Sequence, residues 1–206
     1  MSDFIFQLDW QAFLIAMIII ELTPGPNMGW LAALSAQYGK CAGVKAVTGV
    51  TLGLAIQVMA AAVGLSALIA GFPIIYESLR WAGVIFMLWL AWDAFFETAP
   101  TTIDKETYDK GFRRGLIANL LNPKALVFYV AIIGQFTDLS FGAVWWQIII
   151  LGSLHLCIAI GVHLAIVILG AKLGDVFEQW RTSLIARLIF AMSLIAIAVW
   201  IGVSTG

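Results

Sequence analysis

Against a long apolar background, a handful of side chains could hold or move charge: Glu21, Lys124, His155 and His163, with Gln57, Asn119 and Asn122 as neutral amides. Glu21 could titrate or bind a cation, and Lys124 could meet a carboxylate, either on a solute or on Glu21 itself. The plainer alternatives are a structural ion pair and a Lys124 that snorkels to a polar surface. His155 and His163, eight residues apart, could relay protons because imidazole titrates near neutral pH. An interior histidine held by hydrogen bonds is the commoner arrangement. Asp93 reads as a solvated or Lys-paired acid. Cys41 and Cys157 have no C-x-x-C spacing and read as small apolar fillers. No nucleophile–base pair is apparent, so no enzyme chemistry, metal or cofactor is expected.

These groups sit in a chain of 206 residues that is 62% hydrophobic and 11% charged, with a mean hydropathy of +1.00. Soluble domains run at about 45–50% apolar and about 25% charged residues, so the solvent implied for this chain is lipid. A formal net charge of −1 offers no clustered basic excess and excludes a nucleic-acid partner. A helix needs about 20 apolar residues to cross about 30 Å of hydrocarbon. Stretches of that length occur at 10–36, 43–70, 74–97, 114–136, 143–170 and 184–203. Asp3 and Asp9 stand where a removable signal would carry basic residues, so the first stretch is read as a transmembrane helix.

The breaks between these spans are "AQYGKCAG", "AGFPI", "ETAPTTIDKETYDKGFRRG", "FTDLSFG" and "GAKLGDVFEQWRTS", and only the third is both long and polar. Lys40, Lys45, Lys105, Lys110, Arg113, Arg114, Lys172, Arg181 and Arg187 belong to the first, third and fifth breaks with their helix ends, while Arg80 alone lies on the other side. Basic residues favour the cytoplasmic face, which puts both termini outside. Trp10, Trp81, Trp145, Trp146, Trp180 and Trp200 fall near span ends, where interfacial aromatics belong. Three spans on each side of the long polar break mean that the second triplet enters from the opposite face, as an inverted repeat requires.

The first span then meets "ELTPGPN", residues 21–27, at mid-membrane depth. Pro24 and Pro26 lack N–H donors and disturb the preceding turn, so a regular helix cannot run through. Unsatisfied backbone in hydrocarbon costs several kcal/mol per group, and the break should therefore line a cavity or a polar interface. The fourth span repeats the device in "RRGLIANLLNPK", with Pro123 roughly 13 Å in from the inner end at 1.5 Å per residue. Paired proline-interrupted segments in two halves point to a transport site between them. Freed helix ends offer N–H groups to anions and carbonyls to cations, which suits a zwitterion. Gly25/Gly29, Gly39/Gly43, Gly49/Gly53, Gly111/Gly115 and Gly170/Gly174 allow close helix packing.

With "LTPGPN" in the first span, Gly39, Gly43, Gly49 and Gly53 after it, and "FRRG" followed by "NLLNPKA" opening the second half, the chain resembles the LysE/RhtB family of amino-acid exporters, the LysE-type translocators. The resemblance covers essentially the whole chain. It implies efflux of a small, usually zwitterionic solute across a bacterial inner membrane, driven by protons, with a homodimer as an assembly open to it. Carried over by position, the motif residues are Pro24, Gly25, Pro26 and Asn27 in the first half and Asn122, Pro123 and Lys124 in the second. Glu21 departs from that pattern and points to a cationic substrate or a different coupling route, and His155 has no counterpart in the motif.

The expected fold is all-α: a polytopic membrane protein of six transmembrane helices as a 3+3 inverted repeat, with helices 1 and 4 broken near the midplane. Residues 1–206 form a single domain, divided into a repeat at 1–97, a cytoplasmic loop at 98–113 and a repeat at 114–206. The substrate or coupling site is expected at Glu21, Thr23, Pro24, Gly25, Pro26, Asn27, Gln57, Asn119, Asn122, Pro123, Lys124 and His155. The partners expected are an amino-acid-like small molecule, protons and membrane lipid. Export of a divalent metal cation is the first alternative and a non-transporting intramembrane enzyme or assembly factor the second.

Overall fold

In the computed structural model, residues 4, 7–23, 25–64, 72–96, 105–122, 124, 125, 128–176 and 184–204 are described. Pro24 and Pro123 lie outside them, as do residues 97–104 between the third and fourth helices. Six α-helices are present among the described residues, with no strand: α1 (Trp10–Leu22), α2 (Pro26–Ala62), α3 (Pro73–Phe96), α4 (Lys105–Leu120), α5 (Val144–Val176) and α6 (Leu184–Ser204). Two of them, α2 and α5, are long and apolar enough to cross a membrane by length and composition.

Helix α1 starts where the Asp9 side chain accepts a hydrogen bond from the Ala12 N–H at 2.9 Å, satisfying one donor of the open first turn. It stops at Leu22, and Thr23 and Gly25 are both extended. Thr23 closes the end locally, its Oγ1 donating to the Ile19 carbonyl at 2.6 Å. Pro26 then occupies the first position of α2, where a missing N–H removes nothing the helix uses.

Helix α2 is not one rod. Gly39 has φ 83° and ψ 175°, a region open essentially to glycine alone, and the chain folds there into two limbs, 26–38 and 40–62. In a straight helix residues 35 and 43 would be roughly 12 Å apart along the axis. Here a methyl group added at Gly43 would overlap the Ser35 hydroxyl. The bend lies inside the "AQYGKCAG" break.

Glycines set how the remaining helices approach. A side chain at Gly49 would strike the Phe112 carbonyl oxygen of α4, and one at Gly115 would strike the Ala46 carbonyl. The second limb of α2 and α4 are thus in backbone contact through glycines on both sides. Helix α5 lies along both limbs of α2: a Cβ on Gly152 would come 2.7 Å from Val58, and one on Gly170 2.5 Å from the Ala32 carbonyl oxygen. Helix α3 packs chiefly on α6, and is tied to α4 by an ion pair between Asp93 and Arg114, whose guanidinium also lies 5.6 Å from the Trp89 ring centre. Asp93 is therefore arginine-paired where a solvated or lysine-paired acid is the expectation from sequence.

The fourth segment departs from a simple span. Residues 105–113, expected as part of a loop, form the first turns of α4; Lys, Glu and Arg are good helix formers, and a polar helix needs no apolar face once it has left the lipid. Beyond Asn122 the chain runs through a π-helical turn at Phe128–Ile132 and short 3-10 turns at Ile133–Phe136 and Leu139–Phe141. Gln147 clamps the start of the last turn, accepting from the Asp138 N–H at 2.9 Å and donating to its carbonyl at 2.8 Å.

The core holds Phe13, Met17, Trp30, Leu31, Met87, Phe128, Leu151 and Leu194, all nearly inaccessible. Large apolar side chains also cover the outside, with Ile74 71% exposed, Trp92 68%, Leu169 62% and Val203 78%. Exposure on that scale exceeds what an aqueous surface tolerates and suits hydrocarbon as solvent.

Candidate functional site

The loop between α1 and α2 and the segment after α4 meet at one place. Lys124 Nζ donates to the Thr23 carbonyl oxygen at 2.7 Å across 101 residues of sequence, and its methylenes lie over Gly25, where a Cβ would come 3.0 Å from Lys124 Cδ. That carbonyl is one of the groups released where α1 ends. The lysine supplies the donor that the helix no longer does, and only a residue without a side chain at position 25 lets it lie there. Asn122 turns the chain into this contact, its Oδ1 accepting from the Lys124 N–H at 3.1 Å.

Glu21, in the last turn of α1, is 6% exposed. Its direct partners are two imidazoles of α5: His155 Nε2 lies 2.9 Å from one carboxylate oxygen, and His163 Nε2 lies 3.8 Å from the other. His155 and His163 are two turns apart on α5, so a straight helix presents both to one carboxylate. Tyr129, in the π-helical turn, bonds the other ring nitrogen of His155 at 2.9 Å. The Phe128 ring packs on the same imidazole at 4.1 Å between centres. The alternative of a direct Glu21–Lys124 pair is not the arrangement adopted.

Three amides link the two limbs of α2 to α4. Asn27 Nδ2 donates to Asn119 Oδ1 at 2.7 Å, Asn119 Nδ2 to Gln57 Oε1 at 3.2 Å, and Gln57 Nε2 to the Asn119 carbonyl at 3.2 Å. Gly53 makes room, since a Cβ there would lie 2.8 Å from Asn119 Nδ2. Asn27 Oδ1 and His163 Nδ1 are buried without a hydrogen-bond partner among the described residues. Buried polar atoms of this kind are rare in folded proteins.

One cavity touches nearly all of these groups: Glu21, Gly25, Asn27, Asn119, Asn122, Lys124, His155 and His163 line it, with Ile20, Met28, Leu54, Ala125 and Phe128 as an apolar wall. The cavity is too small for an amino acid and holds a water molecule or so. Of the residues expected at the site, Glu21, Gly25, Asn27, Asn119, Asn122, Lys124 and His155 line this cavity. Thr23 contributes its carbonyl, Gln57 stands behind Asn119, Pro26 opens α2, and Pro24 and Pro123 lie outside the described residues. Tyr129 and Phe128 are new; a tyrosine inside an apolar run, whose hydroxyl needs a partner, was the available signal. Among the described residues no group of three His, Cys, Asp or Glu side chains is arranged to hold a metal ion.

Comparison with known proteins adds an independent line. The chain is 28% identical over 169 residues to an uncharacterized membrane protein of Vibrio cholerae, covering 80% of this chain and 82% of that protein. It is 30% identical over 139 residues to another uncharacterized membrane protein, from Pseudomonas aeruginosa, covering 63% and 64% of the two chains. A leucine efflux protein of an Enterobacter species is 30% identical over 138 residues, 65% of each chain. The matched region therefore spans just under two thirds of the Pseudomonas and Enterobacter proteins. No solved structure matches the chain. The family described as LysE type translocator matches residues 18–205, a region that contains every group lining the cavity, and this chain is a member of that family.

Proposed function

We propose that the protein is a secondary exporter of amino acids or related small zwitterions in a bacterial inner membrane, working by alternating access and coupled to protons. In this reading six spans form a 3+3 inverted repeat with both termini outside. The two interrupted segments, 23–25 and 121–125, are the midplane site about which the halves rock. The observation that carries it is the convergence of a carboxylate, a lysine and an amide cluster on one buried cavity, from segments 101 residues apart.

Each part of that cavity matches one part of an amino acid. Lys124 can exchange its bond to the Thr23 carbonyl for one to a substrate carboxylate. Glu21 and the unpaired Asn27 Oδ1 are acceptors for an ammonium, and Ile20, Met28, Leu54 and Phe128 suit an aliphatic side chain. The Enterobacter relative carries the name of a leucine exporter, so leucine is the first substrate to try. In this reading the cavity widens to take leucine when the halves part. Charged groups at such depth are expensive unless functional or paired, and Glu21 with His155 is where proton coupling would act.

The test is efflux of labelled leucine from proteoliposomes with an imposed pH gradient. Gradient-dependent efflux in the native protein, with its pH dependence removed by Glu21→Gln, is the expected result. Efflux that ignores the gradient, or a Glu21→Gln protein with an unchanged pH profile, removes Glu21 from the coupling step.

A further inference from the structure

Tyr129, His155 and Glu21 form an unbranched line of hydrogen bonds, with Tyr129 Oη 2.9 Å from His155 Nδ1 and His155 Nε2 2.9 Å from Glu21 Oε1. The three residues are 3%, 1% and 6% exposed, and they come from three elements: the π-helical turn, α5 and α1. We propose that this line is a proton wire whose imidazole passes a proton from the Tyr129 side to Glu21, and that Tyr129 is the positioning residue linking the protonation state to the π-helical turn. The proposal deepens the transport reading, on which its role in coupling rests.

Hydrogen-bond chemistry restricts the wire to a few arrangements. An ionised carboxylate only accepts, so beside it His155 carries its proton on Nε2, and Nδ1 then accepts the Tyr129 hydroxyl. When Tyr129 Oη passes its proton to Nδ1 and takes one from solvent on its far side, the ring becomes an imidazolium, Nδ1–H donates to the Tyr129 oxygen, and the new hydroxyl hydrogen points away. Transfer of the Nε2 proton to Glu21 Oε1 leaves a neutral carboxylic acid and a neutral ring protonated on Nδ1. One proton has entered at one nitrogen and one has left at the other. The bond between Tyr129 and His155 has reversed its direction while the heavy atoms stay in place.

The surroundings favour this reading over a merely structural histidine. The Phe128 ring lies tilted against the imidazole at 4.1 Å between centres, and both ring nitrogens are bonded, so a proton can cross the ring without the ring turning over. Tyr129 stands in a single π-helical turn, a distortion that recurs at functional sites. Among the described residues, the other charged or titratable groups facing the wire are His163, on the second oxygen of Glu21 at 3.8 Å, and Lys124, on the Thr23 carbonyl at 2.7 Å. Neither sits between the three members.

The readout is the protonation of the ring itself. In nanodiscs, protein with ¹⁵N-labelled histidine is titrated over about pH 5 to 8, where imidazole ordinarily changes charge, the His155 signals being assigned by difference from His155→Gln. At the alkaline end the wire requires the Nε2–H form of His155. The ¹³Cζ resonance of Tyr129 should change together with the ring nitrogen signals of His155, and Tyr129→Phe should change the balance of the two His155 tautomers. The wild-type measurement stands even where a variant fails to fold. A ring with its hydrogen on Nδ1 at the alkaline end, a His155 that does not titrate, or a Tyr129 signal indifferent to a titrating His155 overturns the wire. If the wire is found and proteoliposomes show no proton-dependent efflux of leucine, the transport reading fails and the wire stands.

Discussion

Glu21 is placed at the end of a helix that cannot continue, where it meets two imidazoles from another helix. The arrangement makes His155→Gln more damaging than a loss of charge alone, because Glu21 loses its nearest donor and Tyr129 its acceptor. Leaving a buried charged group short of a partner costs about 1–3 kcal/mol or more, and a fall in thermal unfolding temperature in detergent should report it. Asn119 is a second such residue. It is inaccessible and bonds Asn27 and Gln57 at once, so the nearly isosteric Asn119→Leu should destabilise the protein by about 1–3 kcal/mol. Little change in the melting of Asn119→Leu would mean that the amide network is replaceable by apolar packing. Lys124→Met keeps the methylenes over Gly25 and removes only the donor; leucine efflux should fall at least tenfold, a loss of about 1.4 kcal/mol of transition-state stabilisation, with the fold retained.

Two glycines decide how the elements are arranged. At Gly39 the backbone has φ 83° and ψ 175°, so Gly39→Ala should cost about 1–3 kcal/mol although it adds one methyl group. Gly49 is different, since its conformation is helical and the difficulty is the Phe112 carbonyl across the interface. Gly49→Val should therefore push α4 away from the second limb of α2, carrying Asn119 out of reach of Gln57. The thermal unfolding temperature in detergent checks this: a Gly49→Val protein that melts like the native one would show that the helices do not need the glycine. Both glycines belong to i, i+4 pairs visible in the sequence, yet spacing alone does not separate a bend from a contact. Proline and polar content likewise marked the place where α1 ends at Leu22, while the interruption read from Pro123 lies outside the described residues. The π-helical turn carries no such mark, because an extra residue in a helix is accommodated by its surroundings and not by its own side chains.

Across the molecule, the ion pair between Asp93 of α3 and Arg114 of α4 joins the two proposed repeats on the side assigned to the cytoplasm. In an alternating-access cycle such a link must break when that side opens. Asp93→Asn should thus raise leucine efflux or shift the protein toward inward-open forms, and exchange of the two residues, Asp93→Arg with Arg114→Asp, should return it toward native behaviour; accessibility of an engineered cysteine at position 122 to an aqueous reagent is the measure. Equal labelling in all three proteins would mean that the pair holds helices together without gating.

Lipid as solvent, an all-helical fold, the end of α1 before the proline motif and the identity of most cavity-lining residues were legible in the order of amino acids, because each follows from local chemistry: apolar length, missing N–H donors, charge in an apolar run. Which acid meets which base was not. Glu21 could have paired with Lys124, and takes His155 and His163 because α5 lies along both limbs of α2 through Gly152 and Gly170, a distance set by backbones far from Glu21 in sequence. Tyr129 enters for the same reason. Pairing across 100 residues depends on how helices settle against one another, and that balance of packing belongs to the folded molecule alone.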